Sequence, residues 1–226
     1  AYDWRGLAYN ELGDYQQALA DYDKAIKLEP DDILLYNNRA FIYDNLGHYD
    51  QAIADFKKAL ELNPDFALGY ANLGLAYLGL WDFKNAEKHC QKSLQLDEQS
   101  CAAHYCLGSV YKEIGGQDNY IRAIEHYKKV IEFVCDYFDN VHIANTYVNM
   151  GMTKALSHYP LEEILADYKK AIELDPQHTY VYFLLGEQSD GEEAIGYYSK
   201  AITLAPDYSV PYLKRGLIYK QQGKIQ

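Results

Sequence analysis

Residues 33–66 read ILLYNNRAFIYDNLGHYDQAIADFKKALELNPDF, and this stretch decides the fold. Leu35, Tyr36, Ala40 and Tyr43 recur at i, i+1, i+5 and i+8, an apolar stripe of helical spacing. Gly47 is placed to end that helix, because glycine tolerates a left-handed backbone. Ile53, Phe56, Ala59 and Leu60 then continue at i, i+3, i+6 and i+7 on a second helix. Pro64 stops it, since proline lacks an amide donor and restricts the residue before it. The stretch therefore predicts two antiparallel helices.

Working outward, the same pattern returns along the chain. Tyr9, Tyr43, Tyr77 and Tyr111 are each separated by 34 residues, and Tyr2, Tyr36 and Tyr70 keep the same interval. Gly6, Ala40, Gly74, Gly108, Gly151, Gly186 and Gly216 form a small-residue set. Ala18, Ala52, Ala86, Ala123 and Ala194 form another, with Ile164 as its exception. Pro30, Pro64, Pro176 and Pro206 close four units. This register resembles the tetratricopeptide repeat, a helix–turn–helix unit with a period of about 34 residues. The resemblance implies an all-α solenoid of about six such units plus a terminal helix, thirteen helices with no strands, wound as a right-handed superhelix. A single pair cannot bury its apolar stripe, so neighbours must stack.

The predicted organisation is a single solenoid over 1–226, with repeats 1–32, 33–66, 67–100, 101–137, 144–178 and 179–208 and an unpaired helix 209–226. Three extra residues fall around Gly116–Asn119, and Phe138–Ile143 adds six, where a longer helix or a loop is expected. Cys135 stands in the place of a closing proline. The sixth unit is four residues short between Gly186 and Ala194, which implies either a first helix one turn short or a stretch missing from the sequence; the latter reading is preferred. Both ends fall inside repeats, so flanking sequence is expected.

Composition narrows the function. The formal net charge is −12, which argues against nucleic acid, since phosphate binding needs clustered Lys and Arg. With 49% hydrophobic residues the chain is not disordered, yet no uncharged apolar run is long enough to insert in a membrane. Residues 209–226 carry +4 through Lys214, Arg215, Lys220 and Lys224 and contain no acid, leaving −16 on the rest. A cytoplasmic location and reduced cysteines are expected.

No phosphate-binding loop, nucleophile elbow or H-E-x-x-H zinc motif is present. Cys90, Cys101, Cys106 and Cys135 contain no C-x-x-C pair. Cys101 and Cys106, five apart on one helix, point in different directions, so a metal site with His104 is not expected. Glu162-Glu163 and Glu192-Glu193 read as helix-start acids. The expectation is no enzyme, no metal and no cofactor.

Function then falls to surfaces. The family resemblance implies that first helices line a concave groove holding a peptide or a partner's helix. Carried over by position, the peptide-binding residues are Trp4, Leu7, Asn38, Phe41, Leu68, Asn72, Leu75, Tyr105, Asn149, Met152 and Phe183, with Leu78, Val148 and Tyr180 beside them. Asp3, Glu11, Asp44 and Glu113 face the same side. Asn38, Asn72 and Asn149 recur in one slot, where an amide can pair with both N–H and C=O of an extended backbone. Relatives that grip acidic chaperone tails use Lys, Asn, Asn, Lys and Arg in slots that here hold Asp3, Leu7, Asn38, Leu68 and Asn72. Shifting by one repeat gives Asn37, Phe41, Asn72, Ala102 and Cys106. Only one of the five matches in either register, so that ligand is not expected. Two readings follow: an interaction scaffold binding a peptide or helix, or the substrate-recruiting arm of a larger enzyme. End-to-end self-association is a third possibility for the partner.

Overall fold

The computed structural model describes residues 1–133 and 138–223. Among these residues there are thirteen α-helices and no strand. They are α1 (Tyr2–Glu11), α2 (Tyr15–Leu28), α3 (Ile33–Asn45), α4 (Tyr49–Leu62), α5 (Ala67–Gly79), α6 (Phe83–Leu96) and α7 (Cys101–Ile114). The remainder are α8 (Gln117–Glu132), α9 (Asn140–Leu156), α10 (Leu161–Leu174), α11 (Thr179–Glu187), α12 (Gly191–Leu204) and α13 (Ser209–Gln221). Cys135 and Lys224 lie outside the described residues. The chain divides into two compact units, Ala1–Ile114 and Gly115–Gln226, and the division falls between the helices of the fourth repeat.

In the first unit α1 pairs with α2, α3 with α4 and α5 with α6. Each second helix also packs on the next first helix, and α1, α3, α5 and α7 lie side by side. The second unit repeats the scheme, pairing α9 with α10 and α11 with α12, with α8 on α9 and α13 on α12.

Local chemistry fixes the helix ends. Asp14, Asp32, Asp82 and Asp139 each accept a backbone N–H of the following first turn, at 2.9 to 3.2 Å. The turn inside each pair needs one left-handed residue. Gly47 supplies it at φ +74°, whereas Trp81 and His158 adopt φ +60° and +58° despite their side chains. The tyrosine six residues after a closing proline reaches back to it: Tyr36, Tyr182 and Tyr212 donate to the carbonyls of Pro30, Pro176 and Pro206 at 3.0 to 3.3 Å.

The cores explain the tyrosine excess. Tyr22, Tyr127 and Tyr168 are almost fully buried, and Phe56 occupies the equivalent place in the second repeat. Burying one such ring contributes roughly 1.5–3 kcal/mol relative to leaving it exposed. The ring lies against the small residue of its partner helix: a Cβ on Gly186 would stand 2.5 Å from the Tyr198 ring. Arginine spans the same interface. Arg39 donates twice to Asp55 at 2.7 Å and once to Asp23 of the preceding repeat at 2.6 Å. Arg5 pairs with buried Asp21 in the first repeat.

The departures from the register take these forms. The inserted residues lengthen helices, giving 16 residues in α8 and 17 in α9, whose first turn is Asn140–Ile143. The shortfall of the sixth repeat falls on α11, nine residues long against thirteen in α3 and α5. Gln188 and Ser189 close that helix by donating to Leu185 and Gly186 at 3.2 and 3.4 Å. The cysteines correct the sequence reading: Cys90 and Cys106 form a disulfide joining α6 to α7, and no described cysteine is free. Cys90 occupies the slot that holds Tyr22 and Phe56, so a small side chain leaves room beside Gly74 for the second sulfur.

Candidate functional site

Residues shared by α1, α3, α5 and α7 build a face in the first unit. Helical spacing puts Trp4 and Leu7 together on α1, and Asn38 and Phe41 together on α3. Leu68, Asn72 and Leu75 share the equivalent face of α5, and Tyr105 that of α7. Trp4 is 74% exposed, Phe41 43% and Leu7 36%, while Leu68, Asn72, Leu75 and Tyr105 are half-buried. Leu34, one turn before Asn38 and 53% exposed, joins this apolar row although its position did not single it out in the sequence. In the second unit Asn149 and Met152 on α9 and Phe183 on α11 are half-buried, and Tyr180 is exposed. Tyr180 stacks on Phe183 at 5.9 Å between ring centres. Val148 is buried in the core with Tyr168 and Leu185, so it is unavailable to a ligand.

The asparagines are less alike than their register implies. Asn72 donates through Nδ2 to Oδ1 of Asn37 at 3.0 Å, a bond from one repeat to the next. Asn37 in turn donates to Asn38 at 3.4 Å, and Asn38 acts on the Tyr22 hydroxyl of the preceding repeat. Burial, with nearby Asp3, pushes that hydroxyl up to about 12, and the Asn38 amide beside it opposes the shift. An amide offers two donor hydrogens and an acceptor, so the Asn37 bond uses only part of what Asn72 can offer. Asn149 instead donates to the carbonyl of Asn145 in its own helix at 3.1 Å. Asn37, 7% exposed, is the residue that orients this network. Only its contact with the following repeat reveals that role.

One acid differs from all the others in this unit. Asp44, seven residues after Asn37 and three after Phe41, has a buried Oδ1 with no hydrogen-bond partner. Its carboxyl is pushed up to about 6 by burial alone. Among the described residues no group of three or more His, Cys, Asp or Glu could hold a metal ion, and no helix is long and apolar enough to cross a membrane.

Sequence models of the tetratricopeptide repeat match residues 33–66 and 67–100, and a TPR-repeat model matches 6–47. No curated protein matches the chain. Among solved structures, a chain of the APC/C hetero-tetramer Cut9–Hcn1 superposes with a TM-score of 0.85 at 17% identity, covering 96% of this chain and 42% of that one. A tetratricopeptide repeat protein from Parabacteroides merdae ATCC 43184 gives 0.73 at 21% identity, covering 96% and 82%. YrrB, described as a TPR protein with an unusual peptide-binding site, gives 0.54 at 23% identity, covering 90% and 98%. This chain thus spans less than half the length of the Cut9–Hcn1 chain. The helical pairs, the 34-residue register and these matches agree: residues 6–100 are tetratricopeptide repeats, and the described helices beyond them keep the same fold.

Proposed function

We propose that this protein is an interaction scaffold whose first unit holds a peptide or a partner's helix against α1, α3, α5 and α7. The observation that carries the reading is the exposed apolar row of Trp4, Leu7, Leu34 and Phe41. Aromatic anchors of this kind carry most of the energy of a protein interface. Leu68, Asn72, Leu75 and Tyr105 continue the row, and Asn72 has capacity left to pair with an extended backbone. Asn149, Met152 and Phe183 are the corresponding contacts in the second unit. The peptide-binding description of YrrB supports the same use of such a scaffold here. The reading needs no cofactor, metal or nucleic acid and no insertion in a membrane. The Cys90–Cys106 disulfide argues against a reducing compartment, and so against the cytoplasmic expectation.

A photo-crosslinking experiment tests the reading. A benzophenone amino acid placed at position 41 should join a partner covalently, and the same group at position 28 on α2 should not. Crosslinking only from position 28 would remove the first-helix face as the site.

A further inference from the structure

The contrast between Asp44 and the two buried acids of the first unit carries an inference that rests on the reading above. Asp21 is bound by Arg5 through two short bonds, and Asp55 by Arg39 through two more. Asp44 is buried at one oxygen without any such partner. It projects from the last turn of α3, on the same face as Phe41 and Asn37. Neighbouring first helices offer it no cation. One repeat earlier its slot holds Asn10 and one repeat later Leu78; α5 contains no basic residue, and the single arginine of α1 is engaged with Asp21. Native proteins pair or hydrogen-bond the acids they bury, because an uncompensated one is costly. A half-buried acid with one oxygen sealed and unpaired, beside an exposed apolar row, awaits a charge from outside.

We infer that Asp44 is the recognition point for a lysine or arginine side chain of the bound peptide, with Phe41 and its apolar neighbours receiving the flanking residues. The net charge of −12 favours the approach of such a segment. Leu78 and Phe41 would exclude water from the pair, where a charge-assisted bond is strongest. A single carboxylate with no second acid in contact does not make a metal site.

The test uses two synthetic libraries of random-sequence acetylated nonapeptides, identical except for arginine or the neutral isostere citrulline at the centre. Binding is measured on the intact protein, on Asp44→Asn and on Phe41→Ala, with circular dichroism as the folding control. The inference expects arginine peptides to bind the native protein at least tenfold more tightly than their citrulline counterparts. Asp44→Asn should bring that ratio close to one, and Phe41→Ala should weaken both sets. Equal affinity of the two sets, both weakened by Phe41→Ala, would overturn the role of Asp44 and leave the groove in place. Binding insensitive to Phe41→Ala, or absent from the native protein, would overturn both. Concentration-dependent mass in light scattering that Asp44→Asn abolishes would overturn the peptide in favour of a second copy, whose α13 carries Lys214, Arg215 and Lys220.

Discussion

Asp44 shows how one residue can trade stability for binding. Its folded carboxyl titrates near 6, raised from 3.8 by burial. A raised acid holds its proton more firmly in the folded state, so folding is unpenalised below about pH 4. The penalty grows as pH rises through the folded value, and is complete above it. About two pH units correspond to at most 3 kcal/mol, reduced to about half where water still reaches the group. Asp44→Asn should therefore be more stable than the native protein by about 1–2 kcal/mol at pH 7.5 and no more stable at pH 3.5. Urea unfolding at the two pH values measures this. An advantage equal at both would mean that packing, not charge, sets the difference. The sequence puts Asp44 one turn beyond Phe41 but could not mark it as unpaired. That property depends on what α1 and α5 place around it, and a periodic pattern does not encode such absences.

At the scale of elements, the pairs follow from spacing alone: apolar stripes, a left-handed residue at the turn, a closing proline. The departures were legible as counts but not as outcomes. Four of the six extra residues before the fifth repeat, Asn140–Ile143, became the first turn of α9, because Asp139 caps a helix there by accepting from the His142 backbone N–H at 3.0 Å. The short sixth repeat lost one turn of α11 while Gly186 kept its place against Tyr198. The disulfide went unread because attention falls on Cys101 and Cys106, neighbours in sequence, whereas bridging depends on Cys90 replacing an aromatic of the core. Its 16-residue separation gives a concrete expectation. Closing a loop of that size restricts the unfolded chain by about 3 kcal/mol. A reducing agent should lower the unfolding free energy by up to that amount, and Cys90→Ala should abolish the sensitivity of this bridge. Unchanged unfolding with and without reductant would show that the bridge contributes nothing to stability.

For the whole molecule, the register of 34 residues made the fold legible because every repeat solves the same packing problem with the same residue types. The site was legible only as a set of slots. Position predicts Trp4, Leu7 and Phe41 for the peptide groove, and the structure leaves all three exposed. It also predicts equivalence among Asn38, Asn72 and Asn149, yet each has a different partner, because Asn37 in one repeat has alanine as its counterpart in the next. Calorimetric titration with a peptide selected on the native protein tests the central claim, that the first-helix face of the first unit binds a peptide, most directly. Phe41→Ala and Asn72→Ala should each weaken binding by about 1–3 kcal/mol with the fold intact. Leu28→Ala, which truncates a side chain 68% exposed on α2, should leave it unchanged. Lost affinity in Leu28→Ala, with native affinity in the other two, would contradict the account.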